Sequence, residues 1–122
     1  MKAYDWIDSF CLSFDGAERE IKPDWNAVSY QVGKKIFLLQ GENPEGKAIV
    51  TVKLEPARGE LFRNRYEEVF AGYYMNKVHW NSVDLGGNLP EAVLKEMISE
   101  SYRIILESLP KKTQAAILGK AQ

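Results

Sequence analysis

At 122 residues the chain fits one domain, long enough to bury a core without metal or disulfide staples. Hydrophobic residues make up 45% and charged residues 27%, a globular balance that excludes a disordered chain. The formal net charge of −1 excludes a broadly cationic nucleic-acid binder, so any phosphate contact has to come from a local patch.

The single cysteine, Cys11, has no internal disulfide partner, which fits a reducing compartment. The opening residues MKAYDWID carry Asp5 and Asp8 where a signal peptide needs an apolar run. No apolar stretch approaches the roughly 20 residues of a membrane helix. The expectation is one cytoplasmic domain over 1–122, with no membrane contact.

A first helix is predicted from Tyr4 to Phe14, with Ile7, Phe10, Cys11 and Phe14 on one 3.6-residue stripe. Cys11 then reads as a small buried hydrophobe. Glu18 to Trp25 is ambiguous, and Pro23 excludes a central strand there. Val28, Tyr30 and Val32 alternate with Ala27, Ser29 and Gln31 as a half-buried strand, and Gly33-Lys34 fits a tight hairpin turn. Lys35 to Gln40 is apolar on both faces, Ile36 and Leu38 on one and Phe37 and Leu39 on the other, as in a central strand. After the loop Gly41 to Gly46 comes a third strand, Ile49 to Leu54.

A second helix is expected from Pro56, with Ala57, Leu61, Phe62, Tyr66 and Val69 on its apolar side. Gly59 weakens it, and Arg58, Arg63, Arg65, Glu67 and Glu68 form a solvated face. The longest helix is predicted over Pro90 to Leu109, where Asn88 and Glu91 have capping-box spacing. Leu94, Ile98, Tyr102, Ile105 and Leu109 make its core stripe. Val93, Ile104 and Leu106 widen the arc, so this helix packs on two sides or helps cover a second copy of the chain. The tail adds a short helical turn through Ala115 to Leu118.

Enzyme inventories fail. One His and one Cys cannot make a zinc site, GENPEGK lacks the spacing and hydroxyl of a phosphate loop, and no nucleophile elbow is present. No catalytic residue, cofactor or metal is expected. The distinctive stretch is Gly72 to Leu85, GYYMNKVHWNSVDL, which gathers Tyr73, Tyr74, Trp80, the only histidine (His79) and the polar groups of Asn76, Lys77 and Asn81. Two readings stand side by side. The aromatic residues and His79 form a hydrogen-bonded structural hairpin anchored by Trp80, or the hairpin projects Lys77, His79 and the amides toward phosphates and base edges.

The runs GKKIFLLQ, VKLEP, GYYMNKVHWNSVDL and LPEAVLKEMISESY resemble the MmcQ/YjbR family in order and spacing, the most specific pieces being GYYMNKVHWN and the pair Ser101-Tyr102. The resemblance implies an α+β two-layer fold of the frataxin-like or secretion-chaperone-like kind, an antiparallel sheet with helices packed on it in the order helix, three strands, helix, two strands, helix. It also implies a bacterial cytoplasmic protein predicted to bind DNA through a double wing. In this chain the wings are the turns at Lys34-Lys35 and at Asn76, Lys77, His79 and Asn81, with Tyr74, Trp80 and Tyr102 as structural anchors. DNA binding through so few cations would be weak and non-specific. The rival reading is a protein-interaction module, including a homodimer, working through the sheet or the last-helix surface. A small-molecule pocket against Trp80 is a third. The DNA reading requires Lys34, Lys35, Lys53 and Lys77 to share a face.

Overall fold

In the computed structural model, which describes residues 5–72 and 76–119, helix α1 (Trp6–Leu12) leads into strand β1 (Glu18–Lys22) and a 3-10 turn at Pro23–Trp25. Three strands follow, β2 (Ala27–Val32), β3 (Lys35–Glu42) and β4 (Ala48–Lys53). Next come α2 (Pro56–Arg65), β5 (Val69–Ala71), β6 (Trp80–Asp84), α3 (Glu91–Glu107) and α4 (Lys111–Gly119). The strands form one antiparallel sheet in the order β1-β2-β3-β4-β6-β5, with α3 packed across β2, β3 and β4. This is the expected α+β architecture with a strand and a helix added at its margins.

β1 is the added strand. Its sequence EREIK puts charges on both faces, so no alternation marks it, and it survives as an edge because it pairs only with β2. Pro23 then ends it. The β2–β3 hairpin turns at Gly33 (φ 57) and Lys34 (φ 68), the two left-handed residues of a type I′ turn. Gly33 is also required by packing, because a Cβ there would lie 2.6 Å from Leu109 Cδ1.

β3 is central, as its apolar run predicts, but its faces are not those of a regular strand. The register slips where Tyr30 opposes Leu38 while Gln31 opposes Ile36, leaving Phe37 as an extra residue. This bulge puts both Phe37 and Leu38, each fully buried, into the helix-side core and leaves Ile36 and Leu39 on the opposite face. The expected grouping of Ile36 with Leu38 is corrected accordingly. The bulge also turns the Phe37 carbonyl toward α3. The fully buried Ser101 hydroxyl donates to it at 2.6 Å and accepts from Lys53 N–H at 2.8 Å. One side chain of α3 thus closes the point where the β3–β4 ladder stops at Leu38–Val52.

β4 follows its alternation, with Val50, Val52 and Leu54 fully buried against the helices and Ile49 and Thr51 facing the other way. On α3, Leu94, Ile98, Tyr102, Ile105 and Leu109 are all buried. Part of the wider arc is used within the chain, since Leu106 is buried in the core and Val93 packs against it. Phe14, just beyond α1, stacks on Tyr102 at 4.5 Å, and Lys95 Nζ lies 5.3 Å from the Trp6 ring centroid. The capping box does not form, because the helix starts at Glu91 behind Pro90 and Asn88 sits too far upstream; its backbone N–H donates to Glu68 Oε2 instead. α2 ends at Arg65, so Val69 belongs to β5, and Leu61 stays exposed while Gly59 and Phe62 are its buried positions. The tail forms a nine-residue helix, longer than the predicted turn.

Candidate nucleic-acid interface

Strand register decides which ends come together. β3 leaves the Gly33-Lys34 turn at Lys35, and antiparallel β4 comes back to end at Lys53. Lys53 opposes Trp80, the first residue of β6, which directly follows the turn over Lys77–His79. Both predicted wing tips and the end of β4 therefore lie at one end of the sheet. Strands are about 4.8 Å apart, which places the tips roughly 10–15 Å from each other.

The second tip is a built turn. Asn76 Oδ1 accepts from Val78 N–H at 2.8 Å, and the Asn76 carbonyl accepts from Trp80 N–H at 2.8 Å. The His79 carbonyl accepts from Leu54 N–H at 2.8 Å, tying the turn to the end of β4. Asn76, Lys77 and Val78 are left exposed and His79 half-buried.

Asn81 does not belong to this surface. It is fully buried, accepting from Arg63 Nη1 and donating to the His79 carbonyl at 3.3 Å. α2 comes close over it at Gly59, where a Cβ would lie 2.9 Å from Asn81 Nδ2. Gly59 is thus a packing requirement of the α2–β6 junction as well as a weak helix residue. The expected roles of Asn81 and Trp80 are exchanged in burial: the amide is in the interior and the indole is half-buried. Tyr73, Tyr74 and Met75 lie outside the described residues. Tyr102 sits in the core, edge-on to Phe37 with its hydroxyl donating to the Asp15 carbonyl at 2.6 Å.

The arginines and lysines divide in role. Arg58 stays partly solvated but is paired: it holds Glu96 Oε2 at 2.5 Å and Glu100 Oε2 at 2.8 Å on α3, and its guanidinium lies 4.9 Å from the Phe62 ring centroid. Arg63 serves Asn81, Arg19 reaches Asp8, and Arg103 reaches Glu107. Lys34, Lys35 and Lys77 are exposed and Lys53 half-buried, and none of the four has an ion-pair partner among the described residues. Lys111 and Lys112 extend the same patch. They open α4 two and three residues after Leu109, the residue packed on the Gly33 turn, and both are exposed. The sequence shows them only as a doublet in the tail. Knowing that α3 runs antiparallel to β3 is what brings them to the wing end.

Among the described residues no group of His, Cys, Asp or Glu is arranged to hold a metal ion, and no helix is long and apolar enough to cross a membrane. Cys11 is fully buried, and burial followed by the Asp8 carboxylate pushes its thiol up to about 12. It offers no nucleophile near neutral pH.

The family model YjbR matches residues 12–104. The chain is 28% identical over 109 residues to the Escherichia coli K12 protein named "Uncharacterized protein YjbR", covering 89% of this chain and 92% of that one. It is 33% identical over 88 residues to "Uncharacterized protein YbdF" of Escherichia coli O157:H7, covering 72% and 71%. Among solved structures, Deinococcus radiodurans DR2400 superposes with a TM-score of 0.82 at 24% identity, over 96% of this chain and 88% of that one. A Pseudomonas syringae protein superposes with a TM-score of 0.72 at 18% identity, over 86% and 99%. At these identities the two structures speak to the fold alone.

Proposed function

The chain belongs to the YjbR family, and on that premise we propose that it is a non-catalytic cytoplasmic protein that binds the nucleic-acid backbone through the lysine end of its sheet. The observation that carries this is the gathering of Lys34, Lys35, Lys53, Lys77, Lys111 and Lys112 at one end with no carboxylate paired to them among the described residues. Free ammonium groups neutralise phosphates and release condensed counterions, which favours binding at low salt. Base readout is limited to Asn76 and His79 at one tip, because the Asn81 amide is buried, so binding is weak and non-specific. A net charge of −1 confines this reading to a local patch, because Glu18 and Glu55 also lie toward the lysine end and Lys22 and Lys47 toward the other.

The test is fluorescence anisotropy of a labelled duplex as salt rises from about 20 mM. Four to five neutralised phosphates give a log–log slope of about −4, at roughly −0.9 per phosphate. A slope near zero, or no binding at the lowest salt, refutes the reading. The rival interaction module would use the sheet face or the half-buried Val93 and Ile104 of α3.

A further inference from the structure

Trp80 opens β6 at the lysine end of the sheet. It opposes Lys53, and one step along the same face Thr51 Oγ1 lies 2.8 Å from Ser82 Oγ. Trp80 and Lys53 therefore share the face opposite α3, since Val52 and Val83 take the core side. On its other flank Trp80 meets Gly72, whose N–H donates to the Trp80 carbonyl at 2.8 Å. A Cβ at Gly72 would lie 3.2 Å from Trp80 Cβ. The half-buried indole thus stands between a lysine on one strand and bare backbone on the next.

The three tryptophans differ in what covers them. Trp6 is edge-on to Phe10 at 5.8 Å with Lys95 Nζ over its ring, and Lys22 Nζ lies 5.5 Å from the Trp25 ring centroid. Among the described residues no second ring and no cation lies against Trp80. An uncovered aromatic ring amid unpaired lysines suits a single strand, whose phosphates the cations neutralise while a base stacks on the ring.

We propose that the lysine end binds single-stranded nucleic acid, with Trp80 as the platform for one unpaired base. This rests on the reading of the lysine end as a phosphate-binding surface and adds the class of strand it takes. The base lies on the indole beside Lys53, which meets an adjoining phosphate. The Lys34-Lys35 turn belongs to β3, two strands from β6, so it is roughly 10 Å away and meets a phosphate further along. A duplex keeps its bases paired and stacked and offers the indole none. Stacking tolerates every base, so it adds affinity without sequence specificity.

The probes are a labelled short oligothymidylate and an abasic strand of the same length, which carries the same phosphates and no bases. Anisotropy at about 20 mM salt should show oligothymidylate bound about tenfold more tightly by the parent, within the range for one stacked base. Trp80→Leu should bring oligothymidylate down to the affinity of the abasic strand, and Trp80→Phe, which keeps a ring, should retain part of the preference. Annealing oligothymidylate to its complement should abolish the difference between the parent and Trp80→Leu. The comparison of the two strands on the parent needs no variant, so it stands even where a substitution at Trp80 disturbs folding. If neither strand binds, the phosphate-binding reading fails and this inference falls with it. The stacking alone is overturned if the abasic strand binds the parent as tightly as oligothymidylate, or if Trp80→Leu keeps the preference.

Discussion

Ser101→Ala removes one oxygen and strands two backbone groups. The hydroxyl donates to the Phe37 carbonyl at 2.6 Å and accepts from Lys53 N–H at 2.8 Å, and Ser101 is fully buried. The bulge at Phe37 and the end of the β3–β4 ladder leave neither group a strand partner in the variant. A buried unsatisfied donor or acceptor costs about 1–3 kcal/mol, so the pair predicts a loss of about 2–4 kcal/mol. For a domain of this size that is a fall in melting temperature of roughly 10 °C. Urea denaturation should show the midpoint falling with an unchanged slope. Ser99→Ala is the control: its hydroxyl bonds only to the Lys95 carbonyl one turn back, and about 0.5 kcal/mol or less is expected. If Ser101→Ala costs no more than the control, the hydroxyl does not join helix to sheet and the account of the bulge fails.

Gly59→Ala should destabilise by about 1 kcal/mol net, since crowding of the buried Asn81 amide outweighs the gain in helix propensity; a raised melting temperature would show that the α2–β6 junction yields freely. Native Cys11 should resist a thiol reagent at pH 8 and react on unfolding in urea, and rapid native labelling would contradict its burial. Alkali should destabilise the fold. Burial raises Cys11 and Tyr30 above their ordinary values, so their contribution is complete below about pH 9 and lost as pH climbs through the Cys11 value of about 12. Urea midpoints measured from pH 8 to 11 should fall, less steeply in Cys11→Ala, and a flat profile would count against it.

Periodicity made the middle of this molecule legible. Val50, Val52 and Leu54 on one face, the Gly33-Lys34 turn and the stripe from Leu94 to Leu109 can be read directly because each is a local pattern facing one core. What escaped depends on distant partners. A bulge is invisible in KIFLLQ, since only the register against β2 shows that Phe37 is the extra residue. β1 is an edge whose charges protect it and so hide it. Arg58 and Arg63 look like any exposed arginines until α3 and β6 supply Glu100 and Asn81. The site was legible in the same measure. Lys34 and Lys77 stand in recognisable turns, whereas Lys111 and Lys112 join them only through the antiparallel course of α3.

The most direct test of the lysine end is amide chemical-shift mapping with an unlabelled duplex at low salt. The account predicts shifts confined to residues 33–35, 53, 76–79 and 111–112, and their loss when Lys34, Lys77, Lys111 and Lys112 are changed together to alanine. Shifts centred elsewhere on the molecule, or a quadruple variant that binds like the parent, would contradict it.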